Sequence, residues 1–217
     1  MIELRLPERA EPLRLLCLGA HSDDIEIGCG GTVLKIVRDH PGVECDWVVF
    51  SAAGARRKEA LAGAGSFLKG AARRTVVLRS FRDGYFPAVG AGIKDVFEAL
   101  KKKVRPDLIF THHRADLHQD HRLIAELTWN TFRDHVILEY EIPKYDGDLA
   151  TPNVYVPVEA AAVKAKIRHI RESFPSQAGN GWFSEETFRA VLRLRGIESN
   201  SPTGYAEGFH GRKLRLF

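Results

Sequence analysis

The sequence predicts an α/β protein, a Rossmann-like three-layer α/β/α sandwich on a mostly parallel sheet. Three observations carry that expectation. Short, nearly unbroken apolar runs at Leu13 to Leu18, Trp47 to Phe50, Thr75 to Leu78 and Leu108 to Thr111 have the length of strands. Segments of helical character, Gly31 to Arg38, Arg56 to Lys69 and Ile93 to Val104, alternate with them, and such βα alternation points to parallel pairing. The runs are continuous rather than apolar at every second residue, so helices are expected on both faces of the sheet.

The first run ends in Ala20-His21-Ser22-Asp23-Asp24. Gly28, Gly30 and Gly31 follow, read as a glycine-rich turn that leads into the first helix with close backbone packing. The glycines come after the acids and do not form GxGxxG directly behind the strand, which argues against a dinucleotide loop. Arg82-Asp83-Gly84 after the third run reads as an Asp-Gly turn. The fourth run leads through His112 and His113 to His118-Gln119-Asp120-His121. Arg122 to Phe132 then has helical periodicity, and Val136 to Tyr140 reads as a strand. Pro143 to Pro157, with three prolines, reads as a loop with short strand content. Helices are expected again at Val158 to Ser173 and Glu185 to Arg195, ahead of a glycine-bearing tail, Gly204 to Gly211.

A chain of 217 residues can bury one substantial core, and we read one domain over 1–217. Hydrophobic residues make up 44% and charged residues 28%, an ordinary globular balance, and no run is long enough to cross a bilayer. The N-terminus, Met1 to Arg5, lacks the pattern of a signal peptide, so a cytoplasmic location is expected. Cys17, Cys29 and Cys45 are an odd number without a CxxC pair; Cys17 and Cys45, within strand patterns, read as buried thiols, while Cys29, beside the acidic loop, is left open to solvent or metal. The net charge is +4, spread over separate runs such as Arg56-Arg57-Lys58 and Lys101-Lys102-Lys103 with no interleaved aromatics. That pattern suits solvated helix faces and not a nucleic-acid footprint.

Both histidine-bearing motifs lie just past apolar strands, where ligands bind in open α/β sheets. Catalytic zinc takes three protein ligands and leaves a position for water. His21 and Asp24 can bend around one ion from the first loop while His121 comes from the second, and this trio is expected to bind Zn2+, other divalent metals being compatible with the same donors. Asp23 is then a spare carboxylate able to accept the water proton. His118 is placed to reach substrate, stabilising an oxyanion or protonating a leaving amine. Asp120 is left as an acceptor that orients an imidazole, in competition with helix capping.

In Ala20-His21-Ser22-Asp23-Asp24 and His118-Gln119-Asp120-His121, in that order and spacing, the chain resembles the LmbE-like, or PIG-L, zinc N-deacetylases with their AHPDD and HxDH signatures. The resemblance implies the same ligand trio, Asp23 as general base and His118 as acid or transition-state partner. It also implies substrate binding by an arginine ahead of a Glu-Ala pair, best matched by Arg56 with Arg57 as rival, and a substrate-side loop at Arg82 and Asp83. Ser22 replaces the usual proline without removing a ligand. His210 is a further candidate substrate contact on a loop returning over the site, and Pro143 to Asn153 a candidate rim. The implied activity is hydrolysis of an N-acetyl group from an N-acetylglucosamine-type sugar or sugar-bearing metabolite. A metal-dependent amidase on another N-acyl substrate and a non-catalytic zinc-dependent binding protein remain the alternatives. The expected partner is a small N-acetylated sugar or conjugate, with neither nucleic acid nor membrane, and a homo-oligomer is left open.

Overall fold

Five strands run parallel: β1 (Arg14–His21), β2 (Glu44–Ser51), β3 (Arg73–Leu78), β4 (Leu108–His112) and β5 (Val136–Tyr140). The computed structural model describes residues 2–4, 6 and 11–215; Met1 and Arg5 of the N-terminal segment lie outside them. Two further strands, β6 (Val154–Pro157) and β7 (Ala206–Gly211), complete a sheet of order β3-β2-β1-β4-β5-β7-β6, in which β7 is antiparallel to both neighbours. Six α-helices connect them among the described residues: α1 (Asp24–Asp39), α2 (Gly54–Phe67), α3 (Gly90–Lys103), α4 (Gln119–Thr131), α5 (Ala160–Ser173) and α6 (Glu185–Glu198).

Alternate strand residues feed two cores. Leu15, Cys17, Trp47, Val49 and Phe110 pack with α1, α2 and α5 through Ile25, Val33, Phe67 and Ile167. Leu16, Leu18, Val48, Phe50 and Ile109 pack on the other face with Ile93, Phe97 and Ile124 of α3 and α4. Each fully buried side chain of this kind contributes about 1.5–3 kcal/mol, so the continuous apolar strands are explained by helices on both sides. All three cysteines are free and buried. Among the described residues no helix is long and apolar enough to cross a membrane.

Order β3-β2-β1-β4-β5 means that the chain changes direction across the sheet between β1 and β4, the position at which open α/β sheets leave a crevice at their carboxyl edge. β1 and β4 are hydrogen-bonded neighbours, with Cys17 opposite Phe110. Their ends, His21 and His112, therefore carry the two histidine motifs to one place.

Two expectations are corrected. Gly28, Gly30 and Gly31 form no turn: α1 begins at Asp24 and runs through them. A Cβ on Gly28 would collide with the Tyr140 ring, and one on Gly30 with the Phe67 ring. Close packing of rings against the helix overrides the poor helix propensity of glycine. The tail Gly204 to Gly211 likewise contains a strand, β7, inserted between β5 and β6. Its glycines admit neighbours, since a Cβ on Gly208 would lie 2.7 Å from Pro152. Its Glu207 is buried: the carboxylate accepts from the Gly31 and Thr32 amides, both at 2.7 Å, and from Lys166 Nζ at 2.6 Å, while the same ammonium donates to Ile27 O at 2.6 Å. This pair reaches the backbone of α1 in its interior, where helices ordinarily bond only to themselves.

Candidate metal centre

β1 delivers His21 at its last residue, and α1 starts three residues later with Asp24. The four orphan amides of a helix start favour acids there, and Asp23, Asp24 and Glu26 cluster at this end. On the facing segment α4 opens at Gln119, with His118 as its cap, Nδ1 accepting from the Asp120 amide at 3.2 Å. His121 lies in the first turn of that helix.

The expected trio comes together. His21 Nδ1 lies 3.1 Å from His121 Nε2 and 3.3 Å from Asp24 Oδ2, and His121 Nε2 lies 3.5 Å from Asp24 Oδ1. A tetrahedral ion with bonds of about 2.0–2.1 Å sets its ligands about 3.3 Å apart, so two imidazole nitrogens and a carboxylate have the spacing and chemistry to hold zinc. Asp24 and His121 are buried and His21 is partly open. Burial opposes charge on Asp24, but His121, His112 and His21 hold it well below the usual carboxylate range. Burial and neighbouring His112 push His121 down to about 4, which keeps its ring neutral as a ligand must be.

Each imidazole is braced from behind. His121 Nδ1 bonds Asp116 Oδ2 at 2.9 Å, and Lys144 Nζ donates to the same oxygen at 3.0 Å. Lys144 also donates to Asp148 Oδ1 at 2.6 Å, which ties the Pro143 to Asn153 segment to the centre. His21 Nε2 meets Asp120 Oδ2 at 3.3 Å, and Asp120 is itself anchored by the amides of Gly84 at 2.7 Å and Phe86 at 3.1 Å. Asp120 thus orients His21. Against burial, Asp24 together with hydrogen bonds to Asp120 and Asp83 raises His21 well above its ordinary value.

Asp23 stands beside the trio and is held by Arg56, whose guanidinium donates to Oδ1 at 2.6 Å. Burial raises the Asp23 pKa against the pull of Arg56. Arg56 also donates to Glu59 at 3.1 Å, and Glu59 accepts from the Ser176 amide and hydroxyl at 2.9 and 2.7 Å. His118 lies on the other side, its ring 4.9 Å from that of His21 and 4.6 Å from that of His121. Burial and the charge of His21 lower its pKa.

The remaining candidates divide. Asp83 reaches the centre, with Oδ1 3.0 Å from His21 Nε2, whereas Arg82 places its guanidinium carbon over the Tyr85 ring, 3.6 Å from the centroid. His210 stacks on His113 at 3.8 Å and faces Glu141 at 3.9 Å. Sequence reasoning missed Asp116, Lys144, Glu59 and Ser176. His112 and His113 follow the fourth run closely enough to line the cavity, one of them as an orienting or packing residue; His112 is placed so, its Nε2 accepting from the Ala20 amide at 2.9 Å and lying 3.1 Å from Asp24, and its ring stacking on His121 at 3.9 Å. Asp116 had a signal, a carboxylate two residues ahead of His118, while Lys144 had none.

Residues 16–132 match the GlcNAc-PI de-N-acetylase family, PIG-L, which is more than half of the chain. The fold is similar to that of the conserved protein TT1542 from Thermus thermophilus, with a TM-score of 0.75 and 22% identity over 94% of this chain and 97% of that one. N,N'-diacetylchitobiose deacetylase from Pyrococcus horikoshii is similar at a TM-score of 0.71 and 22% identity over 92% of this chain and 83% of that one. GalB, the 4-carboxy-2-hydroxymuconate hydratase from Pseudomonas putida, is similar at a TM-score of 0.74 and 18% identity, covering 94% and 98%. A deacetylase and a hydratase share this architecture, so the likeness to these structures concerns the fold, and function has to be argued from the site.

Proposed function

The chain belongs to the PIG-L family of GlcNAc-PI de-N-acetylases, and from that premise we propose that it is a zinc-dependent hydrolase removing the acetyl group from an N-acetylglucosamine-type amino sugar or a sugar-bearing metabolite. The observation that carries this reading is the convergence of His21 Nδ1, His121 Nε2 and the two oxygens of Asp24, Oδ2 toward His21 and Oδ1 toward His121, at 3.1 to 3.5 Å, with Asp23 and His118 beside them.

His21, Asp24 and His121 hold the ion, and Asp116 and Asp120 fix the ring orientations. When bound, zinc makes water nucleophilic near neutral pH and polarises the acyl carbonyl. Asp23 takes the proton of the attacking water. Because Arg56 engages Oδ1, Oδ2 is the atom presented for that transfer, and the raised pKa brings the carboxylate closer to the basicity general-base catalysis needs. His118 gives a proton to the departing nitrogen as the C–N bond breaks, releasing acetate and a free amine. Arg56, Arg82 and Asp83 border the sugar, and His210, beside the 143–153 segment, faces the distal group.

The test is acetate release by the zinc-loaded protein from a panel of N-acetylated sugars and conjugates. We expect release that a chelator abolishes and zinc restores. Metal-independent release, or none from any member, overturns the reading.

A further inference from the structure

The two nitrogens of His21 serve different neighbours. Nδ1 faces Asp24 and His121; Nε2 faces Asp83 Oδ1 at 3.0 Å and Asp120 Oδ2 at 3.3 Å. The two carboxylates converge on that one nitrogen from different segments, Asp83 from the loop after β3 and Asp120 from the first turn of α4. His118 stands next to them, and one donor atom from each of His21, Asp83, His118 and Asp120 lies within 4.8 Å of the others. Two imidazoles and two carboxylates are a donor set suited to a four-coordinate divalent transition metal. Asp120 is fixed by the Gly84 and Phe86 amides, which orients one donor in advance. Asp83, whose side chain is 73% exposed, opens the set to solvent.

We propose that these four residues form a second divalent-cation site, sharing His21 with the first, and that its occupation inhibits the enzyme. With both sites filled, His21 would lend Nδ1 to the first ion and Nε2 to the second, its Nε2 hydrogen passing to solvent as a proton. His118 becomes a ligand and no longer carries a proton to the leaving nitrogen. The inhibitory part rests on the reading of His118 given above; the binding part rests on the four donors alone. Access separates the sites: the first is built from the buried Asp24 and His121, the second ends in an exposed aspartate, so the second is the weaker and the faster to exchange.

Equilibrium dialysis of the full chain against Zn2+, with bound metal counted per protein, tests this. The wild-type protein is expected to take up a tight equivalent and then a weaker one, and acetate release to rise with the first and fall over the range in which the second binds. Asp83→Ala, and Asp83→Asn as a milder change at the same exposed position, are expected to lose the weaker equivalent and keep the tight one. Asp24→Ala is expected to lose the tight one. Saturation of the wild type at one equivalent, two equivalents retained by both Asp83 variants, or undiminished acetate release with the second equivalent bound would each overturn the proposal. A tight equivalent that survives Asp24→Ala overturns instead the ligand trio of the proposed function, so the two failures are distinguishable.

Discussion

Two groups of buried charge touch α1 and are built in contrasting ways. At its N-terminus His21, Asp24 and His121 point ligand atoms at a common centre, and Asp23 keeps an oxygen beyond its bond to Arg56. A few residues further along, Lys166 and Glu207 bond to each other and to the backbone of α1: both carboxylate oxygens accept amides, and the ammonium bridges Glu207 Oε1 and Ile27 O. The first group retains unused ligand and proton-accepting capacity and so has chemistry to offer. The second is closed on itself, and its charges hold β7 and α5 against α1. Buried charge is costly in either arrangement unless paired; what differs is whether the pairing is left for something from outside.

Variants can sharpen that contrast. Asp23→Ala is expected to lower acetate release by about 10²–10⁴-fold, while metal content by atomic emission and the urea midpoint stay near those of the wild type. Loss of bound zinc in this variant would move Asp23 into the ligand set. Glu207→Ala has the opposite profile, because it leaves Lys166 buried without its counter-charge and strips the Gly31 and Thr32 amides of their acceptor. It is expected to cost about 3–5 kcal/mol in urea unfolding, with Lys166→Met in the same chain recovering part of the loss. An unchanged midpoint would show that the two groups are not distinct in kind. Asp116→Ala removes the acceptor behind His121 and is expected to weaken zinc affinity about 10–100-fold in chelator competition, with little effect on the unfolding midpoint. A large fall in stability without change in affinity would place Asp116 with the second group.

The same contrast separates what the sequence reveals from what it hides. β1 to β5 are legible because buried parallel strands need unbroken apolar runs, and the runs at Leu13 and Leu108 also announce where His21 and His121 come out. Strand β7 is hidden because its buried face carries Glu207, and its glycines are there to admit Pro152 and Val154; neither feature resembles an apolar strand. The start of α1 is misread for a related reason: glycines that elsewhere break a helix here let Tyr140 and Phe67 approach it. Asp120 is visible as an acceptor because it sits inside a motif. Lys144 is invisible, since nothing local in Pro143 to Pro157 tells that the segment folds back onto Asp116.

The reach of Glu207 has a consequence for biosynthesis. Its bonds to the Gly31 and Thr32 amides span 176 and 175 positions of the chain. At about 5–20 residues per second of synthesis, those amides leave the ribosome roughly ten to thirty-five seconds before their acceptor does. Throughout that interval the segment bearing His21 and Asp24 is made without the buried acceptor that the folded protein gives those two amides, so the anchoring of α1 by β7 is among the last contacts synthesis makes possible.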